Sequence, residues 1–107
     1  MAKQIYYLHS CNEWKEYSSM ELLFIGTSQQ KLKMKISKEI EEGNMEYKPV
    51  TTYQDWDGER IIWKEKENTP KQQAKLFRED WETESHDSIR SELKYGDFGY
   101  TYNNEEM

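Results

Sequence analysis

The sequence predicts a single small α+β domain, and three patterns lead to that prediction. Short segments that alternate between two faces are typical of strands, and two amphipathic segments carry the start signals of helices. One Asp-Gly dipeptide between two strand-like segments is typical of a tight hairpin turn. The predicted order is ββαββαβ over residues 1 to 107. This order favours an antiparallel or mixed sheet with two helices packed on one face.

Two strands are predicted in the first quarter of the chain. Residues 4 to 9 alternate and are rich in residue types that favour strands. Residues 20 to 25 are largely apolar on both faces, so we expect this second strand to be central in its sheet.

The first helix is predicted over residues 28 to 42. Thr27 and Gln30 fit a capping box, in which the Thr27 hydroxyl accepts a hydrogen bond from the backbone amide of Gln30. A buried stripe is expected where apolar residues recur at every fourth position: Leu32, Ile36 and Ile40.

A hairpin and a second helix are predicted after this. Residues 50 to 56 and 59 to 64 flank Asp57-Gly58, which suits a two-residue type I′ turn.

Thr69 to Gln72 then repeats the capping pattern, with Pro70 at the first helical position. An unbroken helix from residue 70 to 94 would be about 37 Å long, which exceeds the width of a compact domain of this size. We therefore expect a bend or break near His86, followed by a last strand at residues 98 to 102 and a frayed tail from Asn103 to Met107.

Composition indicates a small core that depends on aromatic residues. Leu, Ile, Val and Phe supply 17 of the 107 residues, a fraction typical of disordered chains. Four Trp, eight Tyr and three Phe supply further apolar area, so folding is still expected. A homodimer would add stability, and we keep it as an expectation.

Location is predicted to be cytoplasmic. The single cysteine excludes an internal disulfide and suits a reducing compartment. The N-terminal residues lack the apolar run of a signal peptide, and no apolar stretch is long enough to span a membrane.

Charge is distributed unevenly along the chain. Residues 39 to 107 carry nine Lys or Arg against eighteen Asp or Glu, which gives this part a formal charge of −9. Residues 1 to 38 carry +3, so the whole chain has a formal charge of −6. Such a surface repels phosphates, and direct binding to nucleic acid is not expected.

The usual signatures of an enzyme are weak in this sequence. His9 and Cys11 would share a strand face, but a small buried thiol is the more common explanation of such a pair. No spacing suits a zinc site. Residues 53 to 64 fail as a calcium loop because Tyr53 and Lys64 stand where two charged ligands are needed. We predict no catalytic residue, no metal and no cofactor, and hence a protein that is not an enzyme.

Two kinds of binding site remain open. Gly26, Thr27, Ser28 and Lys31 surround the start of the first helix, where backbone amides favour an anion such as a nucleotide phosphate. A partner-binding acidic surface is predicted from five carboxylates within nine residues: Glu79, Asp80, Glu82, Glu84 and Asp87. Trp14 and Trp56 are the tryptophans expected to be exposed as aromatic anchors.

Several short stretches of the sequence are similar to stretches in other small proteins. They are Ser-Cys-Asn-Glu-Trp at 10 to 14, Tyr-Ser-Ser-Met at 17 to 20, Gly-Thr-Ser at 26 to 28, Glu-Gly-Asn-Met-Glu-Tyr at 42 to 47 and Leu-Lys-Tyr-Gly at 93 to 96. Together they resemble small proteins of phages and mobile elements in Gram-positive bacteria. This resemblance implies a context and no functional residues. Small acidic phage proteins include inhibitors of host defence, which block an effector such as a CRISPR nuclease or sequester a nucleotide signal.

The leading hypothesis is a non-enzymatic inhibitor that binds a basic host protein through the acidic surface. The alternative is an oligomeric or monomeric protein that sequesters a nucleotide. A structural protein of a virion or mobile element, acting as a homodimer, is a third hypothesis.

Overall fold

Within residues 3 to 103, which are the described part of the chain, the computed structural model contains seven β-strands and three α-helices. Side chains are described for residues 4 to 100, and residues 104 to 107 of the predicted frayed tail lie outside the described residues. The strands are β1 (Lys3–Ser10), β2 (Glu21–Gly26), β3 (Glu46–Tyr47), β4 (Val50–Trp56), β5 (Ile61–Glu67), β6 (Leu93–Lys94) and β7 (Gly96–Asn103). The helices are α1 (Gln29–Glu41), α2 (Pro70–Thr83) and α3 (His86–Glu92), and a short 3-10 helix covers Tyr17–Ser19.

The α+β class is confirmed, but the sheet is divided differently from the prediction. The largest sheet has three antiparallel strands in the order β2-β1-β7, and the pairs β3-β6 and β4-β5 form two smaller sheets. The expectation that β2 is central is therefore wrong, because β1 is central and β2 is an edge strand. The predicted order ββαββαβ also lacks β3, β6 and the separate helix α3.

The two long helices do not lie side by side on the sheet. Helix α1 packs against β1 and β2, whereas α2 packs mainly against α1. Helix α2 reaches the sheet through Trp81, whose ring lies 5.5 Å from that of Phe98 on β7. The observed packing thus differs from two helices resting on one sheet face.

A bulge in β2 explains why strict alternation fails there. The pairing of β1 with β2 shifts by one residue after Leu8. As a result Leu23 and Phe24, which are neighbours, both pack against the core, while Leu22 and Ile25 are both more than half exposed. An extra residue in one strand re-aims the side chains that follow it.

Helix α1 confirms the predicted buried stripe but not the predicted cap. Ser28, not Thr27, is the N-cap residue, and its hydroxyl accepts from the backbone amide of Lys31 at 3.2 Å. Ser28 has the extended backbone that a cap residue needs, with φ −99° and ψ 115°. The helix therefore begins at Gln29.

Helix α2 begins and ends as the sequence predicts. Thr69 and Gln72 form the capping box in both directions, with distances of 3.2 and 2.9 Å. The helix stops at Thr83, and the Ser85 hydroxyl caps α3, which begins at His86. Of the bend or break expected near His86, the structure has the break, which separates two helices.

One hydrophobic core joins the sheet, the helices and the β3-β6 pair. The Tyr47 ring meets that of Phe77 edge to face at 5.5 Å, and the Phe77 ring lies 5.5 Å from that of Trp81. The buried apolar residues are Leu8, Leu32, Ile36, Ile40, Met45, Tyr47, Ala74, Phe77, Trp81, Ile89, Leu93 and Phe98. None of these residues comes from β4 or β5.

Candidate partner-binding site

The hairpin of β4 and β5 projects from the rest of the protein, and we call residues 50 to 67 the arm. The described chain measures 66 × 28 × 20 Å and has a radius of gyration of 16.8 Å over Cα atoms. A compact domain of this length would have a radius of gyration of about 13 Å. The arm has extensive contacts only between its own two strands, which accounts for much of this elongation.

The turn at the end of the arm is longer than predicted. Trp56 pairs with Ile61, so residues 57 to 60 form the connection and β5 begins two residues later than expected. The Asp57 carboxylate accepts from the backbone amides of Glu59 and Arg60 at 3.0 and 2.9 Å. These hydrogen bonds hold the pKa of Asp57 below its ordinary value.

One face of the arm, which we call the front face, combines tryptophans with carboxylates. Strand alternation and the pairing register place eight residues on it: Val50, Thr52, Gln54, Trp56, Ile61, Trp63, Glu65 and Glu67. Trp56, Ile61 and Trp63 are 62%, 59% and 66% exposed. The front face carries two acidic residues and no Lys or Arg.

The opposite face, which we call the back face, has a different character. It carries Thr51, Tyr53, Asp55, Ile62, Lys64 and Lys66. Lys64 and Asp55 form an ion pair at 2.9 Å across the two strands. The hydrogen bond that Lys64 donates to Asp55 lowers the pKa of the Asp55 carboxyl and raises the pKa of the Lys64 ammonium. The back face therefore neutralises much of its own charge, whereas the front face does not.

The five carboxylates predicted to form one acidic surface are not equally available. Asp80 is half-buried, and its Oδ2 atom accepts from Tyr47 Oη at 2.6 Å and Lys48 Nζ at 2.8 Å. Glu82 forms an ion pair with Lys33, and Asp87 forms one with Arg90. The other two carboxylates, Glu79 and Glu84, are exposed and form no ion pair within the described residues.

Both predicted aromatic anchors are exposed, but they lie in different places. Trp14 is 75% exposed in the connection between β1 and β2, and Trp56 ends β4 on the arm. Sequence reasoning missed Trp63 and Ile61. Reading the hairpin with a four-residue turn would have found them, because that register places both beside Trp56 on one face.

The predicted anion site lies beside a small cavity. The Ser28 hydroxyl already caps α1, and Lys31 lies one turn into the helix with its side chain exposed. Gln29 Nε2 lies 3.4 Å from His86 Nε2. The adjoining cavity has a volume of only about 20 Å³ and is lined by Tyr6, Leu32, His86, Asp87, Arg90, Phe98, Gly99 and Tyr100. This volume has room for about one water molecule and is far below the roughly 300–1,000 Å³ that ligand pockets usually have.

His9 and Cys11 show little sign of nucleophilic chemistry. Partial burial raises the pKa of the Cys11 thiol, and Asp97 adds to the effect against the opposing charge of Lys15. A raised pKa reduces the thiolate fraction that a nucleophile needs. The His9 ring lies 5.2 Å from that of Tyr7.

The described residues contain neither a metal-binding cluster nor a membrane-spanning helix. No cluster of three or more His, Cys, Asp or Glu side chains there is arranged to hold a metal ion. No helix among residues 3 to 103 has the length and apolar character required to cross a bilayer.

Comparisons with protein-family models, with curated proteins and with solved structures found no match to this chain.

Proposed function

We propose that this protein is a non-enzymatic protein-binding module that holds its partner through the front face of the arm. The observation that carries the proposal is the exposure of Trp56, Ile61 and Trp63 on a projecting hairpin. Tryptophan is enriched among the residues that dominate binding energy in interfaces. The proposed role is therefore assigned to this face.

The energetics of a free hairpin support the proposal. An isolated two-stranded hairpin is marginally stable in water, and none of the residues of the arm belongs to the buried core. Each tryptophan buries roughly 150–250 Å² when it is fully enclosed. A partner that covers both would remove a large apolar area from water and would stabilise the paired strands.

Charge indicates which kind of partner fits. Glu65 and Glu67 lie on the front face, beyond Trp63 toward the base of the arm. The whole chain has a formal charge of −6. We therefore propose a protein with an apolar slot bordered by Lys or Arg, and binding that weakens as salt rises.

The resemblance to phage and mobile-element proteins suggests where such a partner would be found. We propose that the protein acts in the host cytoplasm as an inhibitor, and that its partner is a host defence protein with a basic surface. Covering a basic surface of an effector would compete with the nucleic acid that the effector binds.

The first test is capture of partners from bacterial lysate with the tagged protein. We expect one stoichiometric basic protein at low salt and much less of it at about 0.5 M salt. The double variant Trp56→Ala, Trp63→Ala should lose this protein, whereas Trp14→Ala is the matched control, because it removes an even more exposed tryptophan outside the arm. Equal capture by all three proteins would refute the arm as the binding element.

A second test separates the two acidic regions. Glu65→Lys with Glu67→Lys should abolish capture, and Glu79→Lys with Glu84→Lys tests the acidic surface predicted around α2. Asp80 is left unchanged because it bonds to Tyr47 and Lys48. If only the α2 pair abolishes capture, the acidic surface of the helix, and not the arm, carries the electrostatic part of binding.

Nucleotide sequestration is the second candidate function. It is supported by the closeness of the first turn of α1 to His86, beside Arg90, where phosphates would bind at the surface because the cavity there is too small to enclose a nucleotide. Denaturing the purified protein and identifying released small molecules by mass spectrometry tests it. Absence of a released ligand, together with no thermal shift across a panel of nucleotides, would exclude this function.

A further inference from the structure

Two amide side chains join the base of the arm to helix α2. Asn68 directly follows β5, and Gln73 lies in the first turns of α2. Gln73 is one of the few buried polar residues, with 6% of its surface exposed. A buried amide is costly unless its hydrogen-bonding groups are satisfied, so the contacts of Gln73 are informative.

Gln73 connects the two chain segments that enter and leave the arm. Its Oε1 atom accepts from the backbone amide of Tyr47 at 3.1 Å, just before the arm begins. Its Nε2 atom donates to the backbone carbonyl of Asn68 at 2.9 Å, just after the arm ends. One side chain of α2 therefore bonds to both sides of the arm's base.

Asn68 closes the same base from the other direction. Its backbone amide donates to the carbonyl of Pro49 at 2.8 Å, and its Nδ2 atom donates to the carbonyl of Lys48 at 2.9 Å. The two segments are thus bonded to each other as well as to α2. We call Asn68 and Gln73 the clasp.

The rest of the arm gives little support to a fixed direction. A groove of about 270 Å³ lies between its back face and α2, with Thr51 and Lys66 on one side and Gln72, Lys75 and Leu76 on the other. No core residue belongs to the arm. Without the two clasp side chains, the base of the arm would keep the backbone hydrogen bond between Asn68 and Pro49, and only the segment before the arm would remain bonded to α2, through Asp80.

We infer that Asn68 and Gln73 are positioning residues, which set the direction in which the arm projects from α2. Their importance for binding rests on the proposed function of the front face. A partner that must enclose two tryptophans binds more tightly when their positions are set in advance, because less conformational entropy is lost on binding. The clasp therefore acts on affinity although it lies at the far end of the arm from Trp56.

The direction of the arm can be measured without any partner. We would attach one spin label at Glu59→Cys, at the end of the arm, and one at Glu41→Cys, on α1, in a Cys11→Ser background. Pulsed electron paramagnetic resonance would then give the distribution of distances between the two labels. The unaltered clasp should give one narrow distribution. Gln73→Met removes both hydrogen bonds at similar volume and should make the distribution about twofold wider.

Gln72→Ala is the matched control for this experiment. Gln72 neighbours Gln73 on α2, but its side chain bonds to the Thr69 amide and not to the arm. It should lower the stability of α2 while leaving the distribution narrow. If Gln73→Met does not fold, Asn68→Ala gives the same test, since the half-buried Asn68 amide bonds to the Lys48 carbonyl.

The outcomes separate the clasp from the proposed function. A distribution that stays narrow in both clasp variants would overturn the inference. A broadened distribution supports the clasp even if no partner is ever captured, in which case only the proposed function fails. Where a partner is captured, the folded clasp variants should bind it about tenfold more weakly than the Gln72→Ala control.

Discussion

At the scale of single residues, the half-buried carboxylate of Asp80 links α2 to the chain just before the arm. Partial burial alone would raise the pKa of Asp80, but hydrogen bonds from Lys48 and Tyr47 and the charge of Lys48 outweigh it, so the pKa lies below its ordinary value. Burial and the hydrogen bond to Asp80 raise the pKa of the Tyr47 hydroxyl. Both pKa shifts mean that the folded protein favours an ionised Asp80 hydrogen-bonded to a protonated Tyr47.

Asp80→Asn should therefore cost stability in a pH-dependent way. A carboxyl whose pKa is depressed on folding contributes stability that is present above its unfolded pKa of about 3.9 and is lost as pH falls through the folded pKa. Chemical denaturation should show Asp80→Asn less stable by about 1–3 kcal/mol at pH 7. The difference should disappear at pH values below the folded pKa of Asp80.

Tyr47→Phe is the control for this pH dependence. It removes one hydrogen bond to Asp80 but retains the ion pair between Lys48 and Asp80. The loss of stability in Tyr47→Phe should therefore change less with pH than the loss of stability in Asp80→Asn. An Asp80→Asn cost that is constant from pH 3 to 7 would contradict a depressed pKa.

The cap of α1 allows a comparison between adjacent residues. Ser28→Ala removes the hydroxyl that accepts from Lys31 and should destabilise the protein by about 0.5–2 kcal/mol. Thr27→Ala alters an exposed residue outside the helix and should change stability by less than about 0.5 kcal/mol. Urea denaturation of both variants would measure this. A larger cost for Thr27→Ala would restore the cap first predicted from the sequence.

At the scale of elements, the arm is expected to be dispensable for folding. Its two ends meet at the hydrogen bond between the Asn68 amide and the Pro49 carbonyl, and the buried core contains no residue from β4 or β5. Replacing residues 50 to 67 with two glycines should leave the thermal midpoint within about 5 °C of the parent, a shift that corresponds to roughly 1 kcal/mol in a domain of this size. Circular dichroism would measure it.

Unfolding of this glycine-linked variant would show that the arm contributes to the stability of the body. If it unfolds although Gln73→Met does not, the arm supplies stability that the pattern of burial does not reveal. The front face would then have a structural role in the free protein, and its tryptophans could not be assigned wholly to partner binding.

Sequence patterns predicted the elements that depend on local chemistry. The capping box at Thr69, the apolar stripe of α1 and the Asp-Gly hairpin are signals contained in a few neighbouring residues. The bulge after Leu22 and the separate pair of β3 and β6 were not predictable in this way, because each depends on a partner strand far along the chain. Tertiary pairing overrides alternation at such positions.

The candidate site was predictable only in part for a related reason. Exposure of Trp14 and Trp56 followed from their positions in or beside turns, whereas that of Trp63 required the pairing register. The five carboxylates from Glu79 to Asp87 look like one continuous acidic surface in the sequence. Folding brings Lys33, Lys48 and Arg90 next to three of its carboxylates, and two of these cations come from distant segments.

At the scale of the whole molecule, the protein has a body that contains the core and an arm that carries exposed aromatic residues. The body contains every buried apolar residue of the described chain, and the arm carries the front face. Exposed apolar surface of this kind favours association. The front face is free to bind a partner only if the arm is extended and not covered by the body or by a second copy. The radius of gyration and the mass in solution distinguish these arrangements.

Small-angle X-ray scattering of the purified protein tests this arrangement. The scattering mass should be that of one 13.0 kDa chain, the radius of gyration should be near 16.8 Å, and the glycine-linked variant should fall to about 12–13 Å. A monomer that already has the smaller radius would mean that the arm folds back on the body and hides its tryptophans. A mass of two chains that reverts to one in the glycine-linked variant would place the interface with a second copy on the arm, and the same reversion in Trp56→Ala, Trp63→Ala would place it on the front face.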